Sequence, residues 1–263
     1  MELQGRRVLV TGASRGIGEA LARAFAGAGA KLALVARSEA PLKALASELG
    51  GVAFATDLGD AGATAQLIDR VEADGGPVDV LVNNAGVDLT GPFHAADPDA
   101  LEQLYRINLL SPMQLCRRAI PGMLERGTGH VVNISSLAGV GAFPGLTAYS
   151  SSKAGLSHFT AGLRADLKGR PVGTTLVEIG PVPTEMLSHV GSYRPTELSF
   201  RRFYRLHLLV DRPKELLADQ VVDAVVRGKK HVRLPRRAVL FPMVAETPRR
   251  VTELLLTRVP HQD

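Results

Sequence analysis

Short apolar runs alternate with segments of helical pattern along this chain. The runs lack polar alternation, which is typical of strands that helices cover on both faces. They occupy residues 8–10, 32–35, 52–55, 78–82, 130–134 and 173–179. Helical patterns lie between them, at residues 18–28, 40–49, 61–74, 98–115 with a continuation to 126, and 149–167. This order predicts an α/β fold, a Rossmann-type doubly wound parallel sheet between two helical layers, with a ligand site at the carboxyl ends of the strands.

A glycine-rich turn follows the first apolar run. Gly12, Gly16 and Gly18 have the spacing Gly-x-x-x-Gly-x-Gly, and a helical pattern begins at once after them. A strand, a glycine turn and a helix in this order direct backbone N–H groups and a helix N-terminus at one place, which suits a dinucleotide pyrophosphate. An ordinary tight turn of small residues is the alternative.

Tyr149 and Lys153 are four residues apart at the start of a helical pattern, so both side chains lie on the same helix face. An ammonium about 4 Å from the phenol contributes roughly 4 kcal/mol at an effective dielectric near 20, which is about three pKa units. We therefore expect the pKa of Tyr149 to fall from about 10 toward neutrality, where general acid–base catalysis is efficient. By itself, such a pair more often means a solvated lysine beside a partly buried ring.

This pair belongs to a set of five separated motifs in a fixed order: residues 11–18, residues 57–58, residues 83–86, Asn108, and Ser136 with Tyr149 and Lys153. On these motifs the chain resembles the short-chain dehydrogenase/reductase family in its compact, single-domain class. The resemblance runs from residue 2 to residue 182, and more weakly to residue 235. Ile179 stands where the family usually has a proline, so we expect a less rigid loop after the sixth strand.

The resemblance implies an oxidoreductase that transfers a hydride between a nicotinamide and a carbonyl or secondary alcohol. It implies that Tyr149 is the general acid/base, that Ser136 hydrogen-bonds the reacting oxygen, and that Lys153 holds the nicotinamide ribose and lowers the pKa of Tyr149. Ser136 is preferred to Ser135 because the family usually has twelve residues between this serine and the tyrosine. Asn108 is implied to open a helix locally and to hold a water in the proton path from Lys153; a satisfied core asparagine is the alternative.

The same resemblance implies coenzyme contacts from the glycine turn, from the ends of strands and from the loop after the sixth strand. The expected residues are Gly12, Ser14, Arg15, Gly16, Ile17, Gly18, Arg37, Ser38, Asp57, Leu58, Asn84, Ala85, Gly86, Tyr149, Lys153, Gly180, Val182 and Thr184.

The end of the second strand indicates which coenzyme is preferred. Ala36 stands where a carboxylate would bind a ribose 2′-hydroxyl, and Arg37 and Ser38 follow it. Because guanidinium groups bind phosphate through paired hydrogen bonds, Arg15 and Arg37 favour NADP(H) over NAD(H). Two solvated arginines are the alternative.

Composition excludes several other classes of protein. The chain has one cysteine, Cys116, which excludes an internal disulfide framework, and seven histidines without a pair at ligand spacing, so we expect no metal. It contains no signal-peptide pattern and no run of 18 apolar residues, so we expect a soluble cytosolic protein. Residues 1–235 are expected to form one domain, followed by a basic and apolar extension at residues 236–263.

Residues 185–212 occupy the position of the family's substrate loop. Their many apolar side chains suggest a lipophilic or bulky ketone, and Arg194, Arg201, Arg202 and Arg205 could meet an acidic group. The same residues could instead pack on the body of the protein or on a neighbouring subunit.

Positive charge is concentrated towards the carboxyl end, where residues 193–263 contain 15 Lys and Arg against 8 Asp and Glu, and residues 229–237 are its centre. Peripheral contact with an anionic membrane is one interpretation, but a solvated or subunit-contacting extension is favoured. Nucleic-acid binding is not expected, because no reading module is recognisable.

The expected assembly is a homodimer or homotetramer through the helices at 98–115 and 149–167. A non-catalytic, nucleotide-binding scaffold with the same fold is the main alternative function. A dehydratase or epimerase would be expected to have a larger substrate domain.

Overall fold

The computed structural model describes residues 1–183 and 192–235, which form a parallel sheet with helices on both faces. The strands in this part of the chain are β1 (Arg7–Thr11), β2 (Lys31–Ala36), β3 (Val52–Ala55), β4 (Val80–Asn83), β5 (Gly129–Ser136), β6 (Val172–Ile179) and β7 (His231–Leu234). The helices are α1 (Gly16–Gly27), α2 (Glu39–Leu49), α3 (Ala61–Gly75), α4 (Pro98–Tyr105), α5 (Ser111–Glu125), α6 (Thr147–Asp166), α7 (Arg194–Arg205) and α8 (Lys214–Arg227). The expected α/β class and doubly wound sheet are confirmed.

The strand order is β3-β2-β1-β4-β5-β6-β7, and every neighbouring pair is parallel. Val8 of β1 lies between Leu32 of β2 and Val80 of β4, so the chain reverses its winding direction at β1. A crevice forms at the carboxyl ends of the strands at such a reversal point, because the loops on its two sides leave in opposite directions.

Two apolar cores lie on opposite faces of the sheet. One contains Leu21 and Phe25 of α1 together with Leu217 and Val221 of α8. The other contains side chains of α3 and α5, among them Leu67, Val71, Leu115 and Met123. The strand residues between the two cores are buried, which explains why the apolar runs show no polar alternation.

Local signals explain several helix ends. The Asp60 carboxylate accepts hydrogen bonds from Gly62 N and Ala63 N at the start of α3, and Asp97 accepts one from Ala100 N at the start of α4. Gly50 ends α2 with φ 65°, a left-handed conformation that a side chain would disfavour.

The predicted helix at 98–126 is interrupted, because residues Arg106–Leu110 form a π-helical turn between α4 and α5. Pro112 has no N–H and cannot donate to the carbonyl of Asn108 in the α-helical pattern. Ser111 N instead donates to Arg106 O, five residues back. The local opening expected at Asn108 is therefore present, and Pro112 is a sequence signal for it.

Within the basic segment at 229–237, residues 231–234 form the edge strand β7, which the apolar runs did not predict. Arg233 of β7 donates from Nε to Glu178 Oε2 (2.7 Å), and both side chains are almost completely buried. The sequence pattern did not indicate a strand here because these residues are charged. In the fold, Glu178, 55 positions earlier, neutralises Arg233. The proposed extension at 236–263 lies outside the described residues.

The segment predicted as a substrate loop, 185–212, contains a helix, α7. Pro195 lies in its first turn and Glu197 follows, both favourable positions near a helix N-terminus. Residues 184–191 lie outside the described part. Of the helices that the structure describes, none is both long enough and apolar enough to cross a lipid bilayer.

Candidate active site

Four side chains from three elements meet at the carboxyl edge of the sheet, beside the reversal point. Ser136 ends β5, Tyr149 and Lys153 lie in the first two turns of α6, and Asn108 lies in the π-helical turn. The structure thus brings together the four residues proposed for catalysis.

The Ser136 hydroxyl lies beside Tyr149 and lowers its pKa, and Ser136 Oγ donates to the carbonyl of Ile179 (3.4 Å). Ser136 Oγ also accepts a hydrogen bond from Ala138 N (3.1 Å), which orients the hydroxyl at the end of the strand. Ser135 points elsewhere: its Oγ donates to the carbonyl of Lys153 (2.9 Å) and contacts Ser157 Oγ (2.8 Å) inside the core. The geometry therefore agrees with the choice of Ser136 by residue count.

Lys153 is buried, with 5% of its surface exposed. Its Nζ donates to the carbonyl of Ile134 in β5 (3.0 Å) and lies 5.9 Å from the centre of the Tyr149 ring. Burial lowers the pKa of Lys153 to about 8, because the charged ammonium loses hydration. The side chain is fixed in place, but its ammonium loses its proton at a lower pH than that of an exposed lysine.

The expectation that Lys153 lowers the pKa of Tyr149 is wrong for this structure. Burial raises the pKa of Tyr149 to about 12, opposed by the hydrogen bond from Ser136 and reinforced by the negative charge of Asp88. The expected fall in the pKa requires an ammonium about 4 Å from the phenol and omits the desolvation of the phenolate. Here the Lys153 ammonium donates to Ile134 O, and loss of hydration is the largest cause of the raised pKa of Tyr149.

Asn108 is completely buried and clamps the backbone of Val87. Its Nδ2 donates to Val87 O (2.9 Å), and its Oδ1 accepts from Val87 N (2.9 Å). Nδ2 also donates to Ser152 Oγ (3.0 Å), whose hydroxyl donates to the carbonyl of Tyr149 (2.7 Å). Asn108 thus connects the loop after β4 to the first turn of α6, as a satisfied core asparagine would.

The glycine turn has no room for larger residues. A Cβ on Gly18 would lie 2.0 Å from the carbonyl oxygen of Gly12, and a Cβ on Gly12 would lie 2.8 Å from Ala85 Cα. Gly12 and Gly16 also have positive φ angles of 67° and 60°. Ser14, Arg15 and Ile17 complete the turn, which leads directly into the N-terminus of α1. Backbone packed this closely at a helix N-terminus fits a pyrophosphate.

Thr11, to which the sequence argument assigned no separate role, holds the two sides of the reversal point together. Its Oγ1 donates to Val82 O (3.2 Å) and accepts from Asn84 N (2.9 Å) and Ala85 N (3.1 Å). Asn84 Nδ2 donates in return to Thr11 O (2.9 Å) and Gly12 O (3.3 Å). Asn84 and Ala85 therefore support the glycine turn through their contacts with Thr11 and Gly12. The threonine that ends β1 just before Gly12 is a sequence signal for this support.

Gly86 lies between the catalytic side chains. A Cβ at this position would be 3.2 Å from Asn108 Oδ1 and 3.4 Å from Lys153 Nζ. The absence of a side chain at residue 86 keeps the space between these two groups clear.

The end of β2 carries no carboxylate at residues 36–38. Ala36 is buried, and Arg37 and Ser38 are exposed at the same sheet edge as Arg15. The next acidic residue, Glu39, forms an ion pair with Lys43 (2.6 Å). This set of donors fits the 2′-phosphate of NADP(H) better than the free 2′-hydroxyl of NAD(H).

Asp57 and Leu58 follow β3 and differ in role. Asp57 is exposed, and its Oδ1 accepts from Gly59 N (2.8 Å), which shapes the turn. Leu58 is buried in the core below, and its carbonyl accepts from Ser111 Oγ (2.6 Å).

The loop after β6 begins next to the site. Gly180 N donates to Leu234 O (2.8 Å), and Val182 is buried in the core. Ile179, in the usual place of proline, is the last residue of β6 and pairs with Leu234. Thr184 lies outside the described residues.

A cavity of about 560 Å³ lies between the 138–144 segment and α6. Thr147, Ser150, Ser151 and Ala154 line it from the helix. These residues lie on a different face of α6 from Tyr149 and Lys153, and the other side of the cavity is formed by the segment that follows Ser136, including Phe143.

Part of the apolar substrate segment packs on the protein itself. The rings of Phe200 and Phe203 in α7 contact Phe143, with ring centres 5.4 and 5.2 Å apart. Thr196 Oγ1 donates to Pro144 O (2.6 Å). Helix α7 is therefore docked on the segment that follows Ser136.

Within residues 1–183 and 192–235, no three His, Cys, Asp or Glu side chains come close enough together to hold a metal ion. The expectation of a metal-free protein stays a prediction.

Comparison with known proteins identifies the family. The profile of the family described as short chain dehydrogenase matches residues 6–194. The chain belongs to the short-chain dehydrogenase family. A short chain dehydrogenase of Pseudocercospora fijiensis is 40% identical over 192 residues, which are 70% of this chain and 62% of the fungal protein. This short-chain dehydrogenase thus spans less than two thirds of that relative.

Two further proteins similar to this short-chain dehydrogenase carry more specific descriptions. The very-long-chain 3-oxoacyl-CoA reductase of Anas platyrhynchos is 36% identical over 209 residues, covering 75% of this chain and 67% of the duck protein. A metagenomic short-chain oxidoreductase, solved in complex with NADP, is 36% identical with a TM-score of 0.66, covering 74% of this chain and 93% of that one.

Proposed function

We propose that this short-chain dehydrogenase is an NADP(H)-dependent oxidoreductase that interconverts a carbonyl compound and a secondary alcohol, with Tyr149 as general acid/base. The observation that carries the proposal is that Ser136, at the end of β5, meets Tyr149 and buried Lys153, whose Nζ lies 5.9 Å from the Tyr149 ring centre, at the same sheet edge as the close-packed glycine turn. A protonated phenol and a hydroxyl directed at one point can hold and protonate a carbonyl oxygen.

Each side chain has a defined part in carbonyl reduction. Bound NADP(H) supplies the hydride. Ser136 hydrogen-bonds the carbonyl oxygen, and Tyr149 releases its proton to that oxygen as negative charge develops. The raised pKa of Tyr149 favours this direction, because the phenol remains protonated at neutral pH. In alcohol oxidation the Tyr149 oxygen would instead have to accept a proton.

Lys153 and Asn108 support these two groups. The Lys153 ammonium, held by Ile134 O, would bind the nicotinamide ribose and offset the negative charge that forms on Tyr149 oxygen. Asn108 positions the first turn of α6 through Ser152. Both side-chain N–H groups of Asn108 already have partners, so a water in the proton path would need another group of this π-helical turn.

NADP(H) is the proposed coenzyme on two grounds. Arg15 and Arg37 lie at the sheet edge where β1 and β2 end, and residues 36–38 at the end of β2 carry no carboxylate. The similar metagenomic oxidoreductase was solved with NADP. NAD(H) would be the weaker ligand.

A lipophilic or bulky ketone is the proposed substrate class. The aromatic contacts between Phe143, Phe200 and Phe203 form an apolar wall above the segment that follows Ser136. The duck relative is described as acting on very long acyl chains, which agrees with an apolar substrate.

We further propose self-assembly through α5 and α6. Leu110 and Met113 are 42% and 38% exposed at the start of α5, and apolar side chains of this size are commonly covered by a partner. A catalytically silent scaffold is the second candidate, but it would not require Asn108, Ser136, Tyr149 and Lys153 to converge.

Tyr149→Phe tests the assignment, because it removes one oxygen and keeps the ring. Turnover with NADPH and a ketone panel should fall by roughly 10²- to 10⁴-fold, the usual contribution of a general acid. NADPH affinity, measured by fluorescence titration, should change little. Tyr105→Phe is the matched control, since Tyr105 contacts Ser151 at the surface and should keep full turnover. Unchanged turnover in Tyr149→Phe refutes the mechanism.

A further inference from the structure

The outer face of helix α7 is unusually rich in arginine. Its four arginines, Glu197 and Leu198 lie within about 140° of the helix circumference at 3.6 residues per turn. All six are exposed; the arginines are Arg194, Arg201, Arg202 and Arg205. Leu198 is 40% exposed, and Leu206, directly after the helix, is 59% exposed.

The arginines of α7 differ from Arg23 and Arg118 in their ion pairing with acidic residues. Arg23 pairs with Glu48 and Arg118 with Asp69, each at an N···O distance of 2.5 Å. For the arginines of α7, no ion pair with an acidic residue is present in residues 1–183 and 192–235. Four arginines and one glutamate give α7 a net charge of +3.

The opposite face of α7 fixes how the helix is oriented. Phe200 and Phe203 pack on Phe143, and Thr196 is completely buried with its hydroxyl bound to Pro144 O. The basic face therefore cannot turn inward without breaking these contacts, and it is presented to the surroundings as a rigid surface.

We propose that this outer face of α7 docks on an anionic phospholipid surface. Guanidinium groups bind lipid phosphates, and Leu198 and Leu206 can enter the boundary between headgroups and acyl chains. The combination favours a lipid surface over an acidic protein, because exposed leucines adjoin the arginines at both the middle and the end of the helix. Docking would bring the apolar wall formed by Phe143 close to the phase in which a lipophilic ketone dissolves.

Vesicle co-sedimentation tests the proposal without coenzyme or substrate, so its result does not depend on the proposed reductase activity. The full chain should bind phosphatidylcholine vesicles that contain phosphatidylglycerol, and should bind pure phosphatidylcholine vesicles much more weakly. The variant R201Q/R202Q/R205Q should partition about 100-fold less, since each basic residue near an anionic surface contributes roughly fivefold. L198Q/L206Q should also bind less, but its remaining binding should depend on salt more strongly than that of the arginine variant, because its arginines are intact.

The matched control is K31Q/K168Q/R170Q, which removes three exposed positive charges at the opposite, amino-terminal edge of the sheet. It should bind anionic vesicles like the wild type. Residues 236–263 are identical in all variants. Equal binding to both vesicle types, full binding by the arginine variant, or equal loss in the control would overturn the proposal, as would binding only to an acidic protein. Circular dichroism melting checks that each variant is folded.

Discussion

The titration of Tyr149 is the most informative prediction for the mechanism. In the coenzyme-free protein, burial raises the pKa of Tyr149 to about 12 and lowers that of Lys153 to about 8. A rise from the ordinary value of about 10 corresponds to roughly 3 kcal/mol in favour of the neutral phenol. At pH 9 only about 0.1% of Tyr149 should be ionised, whereas about 90% of Lys153 should have lost its charge.

Ultraviolet difference titration measures the ionisation of Tyr149 directly. Subtracting the tyrosinate absorbance of Tyr149→Phe from that of the wild type isolates Tyr149, and no midpoint should appear below about pH 10. Ketone reduction should nevertheless fall by about tenfold between pH 7 and pH 9 if the Lys153 ammonium is required, because its charged fraction falls by that factor.

A tyrosinate midpoint near neutrality, present in the wild type and absent in Tyr149→Phe, would refute this reasoning. It would restore the picture derived from the spacing of Tyr149 and Lys153, in which the ammonium acidifies the phenol. Titrating Lys153→Met distinguishes the two further. Loss of Lys153 should leave the Tyr149 midpoint above about pH 10 if burial dominates.

Two further predictions concern coenzyme choice and acid stability. Arg37→Gln should weaken NADPH binding by roughly 10-fold or more, as expected for a charged hydrogen bond, and leave NADH binding unchanged; parallel losses for both coenzymes in fluorescence titrations would contradict the assignment. Burial lowers the pKa of His130 to about 4 from 6.5, so the folded protein binds fewer protons than the unfolded chain between these pH values. The free energy of unfolding should therefore fall by about 2 kcal/mol from pH 7 to pH 5 because of His130. Urea unfolding of the wild type should show this extra slope relative to His130→Asn, and equal slopes would disprove it.

The structural reason for the His130 prediction is visible around the ring. Thr175 Oγ1 donates to Lys229 O (2.7 Å), so it accepts from His130 Nε2 (2.8 Å). The other ring nitrogen faces Gly173, where an added Cβ would lie 2.5 Å from Nδ1. Burial of the ring, which penalises the charged form, is why the neutral ring is favoured.

Local sequence patterns predicted the strands whose own residues show the pattern of a buried strand. The buried runs predicted β1 to β6 because strands covered on both faces must be apolar throughout. They did not predict β7, because His231 and Arg233 are polar and the charge of Arg233 is neutralised by Glu178 of β6, which is distant in the sequence. Helix α7 was missed because its apolar residues were interpreted as a loop, although Phe200 and Phe203 lie at helical spacing.

The sequence alone determined which residues could meet. The strand, glycine turn and helix around Gly12 follow from local chemistry, and the four-residue step places Tyr149 and Lys153 on one helix face. The tertiary structure alone decided the electrostatics, because the hydration of Tyr149 and the direction of the Lys153 ammonium depend on β5, α6 and the loop after β4 together. Spacing along a helix specifies neighbours, but the free energy of a charge depends on everything that surrounds it.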